Sequence, residues 1–141
     1  MTREPAPEFD WVAAQAACTP ASMFERLRVG VKQDVERRNA LVELEDEARF
    51  EFSEDSEAFD VARLEGSRFG EAKIAALVRF ERAGRRINVH GEDVDVDFTA
   101  VLTLDPAGEC RLVVGEALYS EWEIRRMALE LLFFDEPEVL E

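Results

Sequence analysis

Three aspartates recur two residues apart at Asp93, Asp95 and Asp97, and on an extended strand that spacing points all three carboxylates the same way. Such a row is the all-oxygen donor type that hard cations take. A calcium loop, however, requires glycine at its sixth position and a bidentate glutamate at its twelfth, where this chain has Phe98 and Leu104. Alternate carboxylates on a straight strand also stand about 7 Å apart, too far to share one ion unaided. The row therefore reads as a solvated strand face, and its functional alternative is docking of a basic protein. Glu43, Glu45, Glu47 and Glu51 make a second acidic stripe. Like charges on one strand repel and are tolerated best at a wet edge, where they also discourage sheet-to-sheet pairing. Edge protection is the simpler reading of this stripe, with docking of a basic partner again the alternative.

Arg79, Arg82, Arg85 and Arg86 cluster around one predicted hairpin. Guanidinium groups so placed could catch a phosphate or carboxylate. No glycine-rich phosphate loop or aromatic stacking series accompanies them, so neutralisation of the acidic strands is favoured over an anion site. His90 is the only histidine, which excludes a histidine-rich metal centre and any mechanism needing two imidazoles. Cys18 and Cys110 are the only cysteines, and their spacing matches neither a zinc nor a redox motif. They are expected to be buried, idle thiols rather than a disulfide or a nucleophile. No Gly-x-Ser-x-Gly elbow, dinucleotide fingerprint or P-loop is present. No catalytic residue, cofactor or metal is assigned.

The elements that must carry these side chains follow from hydrophobic periodicity. Residues 1–7 hold two prolines among small and charged residues and read as a frayed leader. A short helix is predicted over residues 8–17. Thr19 followed by Pro20 reads as a cap with proline at the first helical position, and Ser22 with Glu25 offers a capping box one turn later. Phe24, Leu27, Val31 and Val35 then recur at helical spacing, predicting a second helix with one buried stripe that ends near Asn39.

From Val42 the period changes to two. Alternation predicts strands over residues 42–52, with a bulge at Asp46, and over 59–64, 73–81, 87–89, 93–104 and 110–115, with loops at 53–57 and 66–70. Asp105-Pro106-Ala107-Gly108 supplies a tight turn. Ser120 and Glu123 form a second capping box. The helix after them carries Ile124, Met127, Ala128, Leu131, Leu132 and Phe134 until Pro137 stops it. So wide an apolar arc has to be covered by the sheet together with the N-terminal helix or another subunit. Trp11, Trp122, Tyr119, Phe133 and Phe134 are expected to pack in the core between helices and sheet, an aromatic subunit contact being the alternative.

The 141 residues fit one domain, and 47% hydrophobic with 35% charged residues suits a folded chain. The fold class is α+β: two N-terminal helices, an antiparallel meander of about five or six strands, and a C-terminal helix, with the helices on one sheet face. Residues 136–141 read as a frayed acidic tail. The outline is similar to that of unrelated groups such as cystatin-like domains and small bacterial chaperones, and likeness at that level transfers no residue roles.

A formal charge of -15 repels phosphates and anionic bilayers, so general nucleic-acid and membrane binding are not expected. The first residues lack the pattern of a secretion signal, and no run approaches the ~20 apolar residues that span a bilayer. These features predict a cytoplasmic protein. The functional expectation is a non-enzymatic protein-binding, adaptor or chaperone-like module, a homodimer with a basic protein as partner. The competing expectation is a small enzyme or ligand binder with a pocket between the sheet and a terminal helix.

Overall fold

The computed structural model describes residues 8–41, 48–66 and 73–134. Three helices and seven strands follow in the order α1 (Trp11–Ala17), α2 (Pro20–Ala40), β1 (Ala48–Glu54), β2 (Ala58–Glu65), β3 (Lys73–Ala83), β4 (Arg86–Glu92), β5 (Asp97–Leu104), β6 (Cys110–Val114), β7 (Ala117–Tyr119) and α3 (Glu121–Phe134). Every strand is hydrogen-bonded antiparallel to its neighbours in sequence, giving one sheet in the order β1 to β7. The expected meander and the helix–sheet packing are both present. The sheet has seven strands rather than five or six, because the chain turns at Gly115 and adds three residues of edge strand.

Alternation decides which face is buried. Phe59, Val61, Val78, Phe80, Ile87, Val89, Ala100, Leu102 and Leu112 project to the helix side and are almost completely shielded from solvent. Phe59 pairs with Phe80 across β2 and β3, and their rings stack at 4.6 Å. From above, α2 adds Met23, Leu27, Val31 and Val35, and α3 adds Ile124, Ala128, Leu129 and Leu132. The space between the layers is filled by these side chains, and among the described residues no buried residue is polar or charged.

Local chemistry sets the ends of the helices. The Thr19 hydroxyl accepts from the Ser22 amide at 3.1 Å, so α2 starts at Pro20 and the capping box one turn later is not used. α3 starts at Glu121, just after Ser120, whose amide donates to the Glu123 carboxylate at 3.1 Å and whose hydroxyl donates to it at 2.8 Å. α1 is shorter than its pattern suggested, because the Asp10 carboxylate caps it by accepting from the Ala13 amide at 3.0 Å.

Strand boundaries also differ from the periodicity, at the start of β5 and the end of β1. β5 begins at Asp97 rather than Asp93, because Asp93 adopts a left-handed backbone with φ 58°. The Gly91 amide then closes on the Val96 carbonyl at 2.7 Å, so Asp93 and Asp95 sit in the β4–β5 connection. β1 runs on to Glu54, where Asp55 makes the turn by accepting from the amides of Glu57 and Ala58 at 3.1 and 3.0 Å. The start predicted at Val42 and the bulge at Asp46 lie outside the described residues, as does most of the 66–70 turn.

A correction concerns the cysteines. They are not idle thiols: Cys18, between α1 and α2, is bonded to Cys110, the first residue of β6, with Cα atoms 5.3 Å apart and 92 positions between them in sequence. Spacing in sequence gave no sign of this, because only the closed sheet brings the β5–β6 turn under the start of α2.

Candidate binding groove between α2 and α3

The helix pair is fastened at two levels. At the first, Arg125 of α3 donates to Asp34 at 2.6 Å and to the Gly30 carbonyl at 3.3 Å, both on α2, and to Glu121 one turn back on α3 at 3.2 Å. At the second, Arg38 of α2 donates through Nε to the Phe133 carbonyl at 2.9 Å, satisfying a carbonyl of the last helical turn. The Arg38 guanidinium also lies 5.3 Å from the centre of the Phe50 ring and 4.9 Å from that of Phe134, close enough for attraction to both π faces. Both attachments join a later α2 residue to a later α3 residue, so the two helices run parallel.

Asn39 ties the same end of α2 to the sheet. Its side-chain amide donates to the Phe50 carbonyl at 2.8 Å, and its side-chain oxygen accepts from the Phe50 amide at 3.0 Å. Phe50 in turn meets Phe133 edge to face at 4.8 Å. Backbone and rings therefore fix β1, α2 and α3 together at one corner.

Between these attachments a groove of about 570 Å³ opens to solvent. Leu129 and Phe133 line its deeper part, while Leu41, Trp122 and Phe134 stand at its margins with 69%, 55% and 61% of their surface exposed. Its charged lining is Arg37, Arg38, Arg125 and Arg126 against Asp34 and Glu130. Arg126 pairs with Glu130 at 3.0 Å and Arg37 with Asp34 at 3.4 Å. Burial acts to lower the Arg125 pKa, but Asp34 and Glu121 outweigh it and hold the group above the ordinary arginine value. It stays a cation. Among the described residues, no His, Cys, Ser, Thr, Tyr or Lys lines the groove, and the two carboxylates that do, Asp34 and Glu130, are engaged by arginine. The arrangement presents apolar surface inside a positive rim.

The residues singled out in the sequence lie elsewhere. Glu43, Glu45 and Glu47 fall outside the described residues, and Glu51 is exposed on β1. Asp93, Asp95 and Asp97 do not form the expected strand row: only Asp97 is on a strand, opposite His90. Among the described residues no three His, Cys, Asp or Glu side chains come close enough to hold a metal ion. Arg79 is occupied by Asp55, Asp60 and Glu81 at 3.3, 3.4 and 2.6 Å, in keeping with charge neutralisation. Arg82, Arg85 and Arg86 stand exposed around the turn at Gly84. Arg82 borders a shallow hollow with Thr19, Pro20 and Glu57. The expectation that the terminal aromatics all enter the core is corrected: Phe133 is buried, whereas Trp11, Trp122 and Phe134 are more than half exposed.

The groove itself escaped sequence reasoning. Its one available signal was the width of the α3 apolar arc, which exceeds what a sheet and one neighbouring helix can cover. No protein-family model, curated protein or solved structure matches the chain. No helix among the described residues is long and apolar enough to cross a membrane.

Proposed function

We propose that this chain is a non-enzymatic protein-binding module whose α2–α3 groove takes an amphipathic helix with acidic flanks. One observation carries the reading: an open apolar groove whose described lining holds four arginines and two carboxylates, on a chain whose formal charge is -15. A short helix offering apolar anchors at positions i, i+3, i+4 and i+7 would cover Leu41, Trp122 and Phe134, as in other helix-in-groove complexes. Its acidic flanks would meet Arg37 and Arg126, the most exposed cations of the rim. Rim charges of this kind act on association rate and salt dependence, while the buried anchors supply affinity.

A dimer made by pairing this groove with its own copy would set arginine against arginine, so a homodimer belongs to another face of the molecule. A basic partner also belongs elsewhere, on acidic positions such as Glu51 and Asp97.

The reading is tested with two synthetic amphipathic peptides of identical apolar face, one with Glu flanks and one with Lys flanks, titrated against the full chain while tryptophan fluorescence is followed. The Glu peptide is expected to bind about tenfold or more tightly than the Lys peptide, to weaken as salt is added, and to lose that advantage with Arg37→Glu and Arg126→Glu together. Equal affinities, the reverse order, or binding indifferent to the paired substitution would reject it.

A further inference from the structure

The structure assigns the two cysteines a role apart from the groove: we propose that the Cys18–Cys110 bond is a reversible redox clasp holding α1 on the β5–β6 hairpin. α1 buries none of its side chains. Trp11 and Val12 are 62% and 58% exposed, and so is 55% of Phe9 just before the helix. Seven residues are far too few for a helix to persist unaided in water.

Among the described residues, the Phe9 ring and the disulfide both tie this segment to the same hairpin. The Phe9 ring occupies the space that a Cβ on Gly108 would fill, and Gly108 has φ 82°, a left-handed turn position where glycine is at no disadvantage. The disulfide is the second attachment. When it opens, the exposed Phe9 ring is the contact to this hairpin that remains.

The body of the domain does not depend on the bond in the same way. α2 carries its own Thr19 cap, and Met23, Leu27 and Val31 behind it are buried against the sheet. Opening the bond therefore frees residues 8–17 and leaves the layered core closed. This also reconciles the disulfide with the cytoplasmic setting expected from the sequence. There, disulfides are characteristically transient and redox-sensing.

The step is thiol–disulfide exchange with a dithiol. Its thiolate attacks Sγ of Cys110, the less buried of the two residues; the Cys18–Cys110 bond breaks, and Cys18 leaves as a thiolate. The second thiol of the reductant then attacks the mixed disulfide, closing its own ring and releasing Cys110. Two electrons pass to the protein, the dithiol becomes a cyclic disulfide, and each cysteine takes up a proton. The clasp lies at the start of α2, about 20 Å along the helix from Asp34, where the groove begins on α2, so peptide binding in the groove is expected to be equal in both states.

Hydrogen exchange followed by mass spectrometry tests the proposal on the full chain, equilibrated in an oxidising glutathione buffer or reduced with dithiothreitol, beside Cys18→Ser and Cys110→Ser. Amides of residues 14–18 should lose their protection in the reduced protein and in both variants, exchanging about tenfold or more faster, while β3 and α3 remain protected and the slowest elements to exchange, and the protection of α1 returns on reoxidation. Unaltered protection of α1 on reduction would overturn the clasp. So would loss of protection throughout β3 and α3, which would make the bond a crosslink of the whole domain. Alkylation of both thiols after the oxidising equilibration would also overturn it.

Discussion

Gly30 of α2 lies directly beneath the Arg125 side chain of α3, and a Cβ built on Gly30 would stand 2.6 Å from Arg125 Nε and 2.8 Å from its Cδ. The missing side chain lets the arginine cross α2 and reach Asp34. Gly30→Ala brings two opposed effects: about 1 kcal/mol gained in helix propensity and displacement of a guanidinium held by three groups. Gly30→Val keeps the displacement and forfeits much of the gain, since a β-branched side chain is a poorer helix former. Urea denaturation should therefore show Gly30→Val destabilised by about 1–3 kcal/mol, and Gly30→Ala closer to the parent. Equal stability of Gly30→Val and the parent would mean that Arg125 moves aside at no cost.

Asn39 holds both backbone groups of Phe50, a buried residue. Asn39→Ala leaves a donor and an acceptor without these partners, a loss of about 1–3 kcal/mol for each group that stays dry. The expected signature is local as well as global. Amide exchange at Phe50 should accelerate more than exchange at Phe80, and uniform acceleration along the sheet would contradict the assignment.

Loss of the disulfide should lower the unfolding free energy by about 2–4 kcal/mol in Cys18→Ser. Small domains hold about 5–15 kcal/mol in total, so the variant is expected to remain folded with a lower urea midpoint. A midpoint equal to that of the oxidised parent would show that the bond does not constrain the unfolded chain.

The groove margins and the core should respond oppositely. Trp122→Ala removes an exposed side chain and should change stability by no more than about 0.5 kcal/mol while abolishing peptide binding. Phe80→Ala, wholly buried, should cost about 3–5 kcal/mol. A large stability loss in Trp122→Ala would mark it as a packing residue and remove it from the binding surface.

Acid should weaken the fold through several turn and cap carboxylates. The Glu109 amide, aided by Arg111, holds Asp105 below the usual carboxylate range. The Glu57 amide, with Arg79 and the Ala58 amide, does the same for Asp55, and Ser120 for Glu123. Stability from these groups is complete above their unfolded values and is lost as pH falls through the folded ones. Asp60 behaves in reverse. Burial raises it, Arg79 opposes, and Asp55, Glu51 and Glu92 add to the rise. Its contribution is present below the ordinary aspartate value and disappears as pH climbs to the raised one. Thermal melts of Asp60→Asn minus those of the parent should therefore rise with pH just above the usual carboxylate range and level off beyond it. A difference that falls across that window would reverse the assignment.

Much of this architecture could be read in the sequence because burial follows local periods. The α2 stripe of Leu27, Val31 and Val35, the sheet positions from Phe59 to Leu112, and the caps at Thr19 and Ser120 each declare themselves within a few residues. What could not be read depends on closure in three dimensions. Cys18 meets Cys110, and Asp34 meets Arg125, only after seven strands have placed their elements side by side. The aspartates at 93, 95 and 97 misled for a different reason: alternation in type continued across a backbone turn, since Asp93 accepts a left-handed conformation more readily than most residues do. Trp122 and Phe134 were misplaced because apolar character records a preference for burial, whereas the neighbours available decide whether it is met.

The two walls of the groove are separated along the chain by the entire sheet, since Ala40 closes α2 and Glu121 opens α3. During synthesis the first wall is made before any of the seven strands and waits, while the second emerges only after all of them. A nascent chain halted anywhere before Glu121 would carry α2 without Leu129 and Phe133, so the groove cannot exist until the ribosome has passed α3.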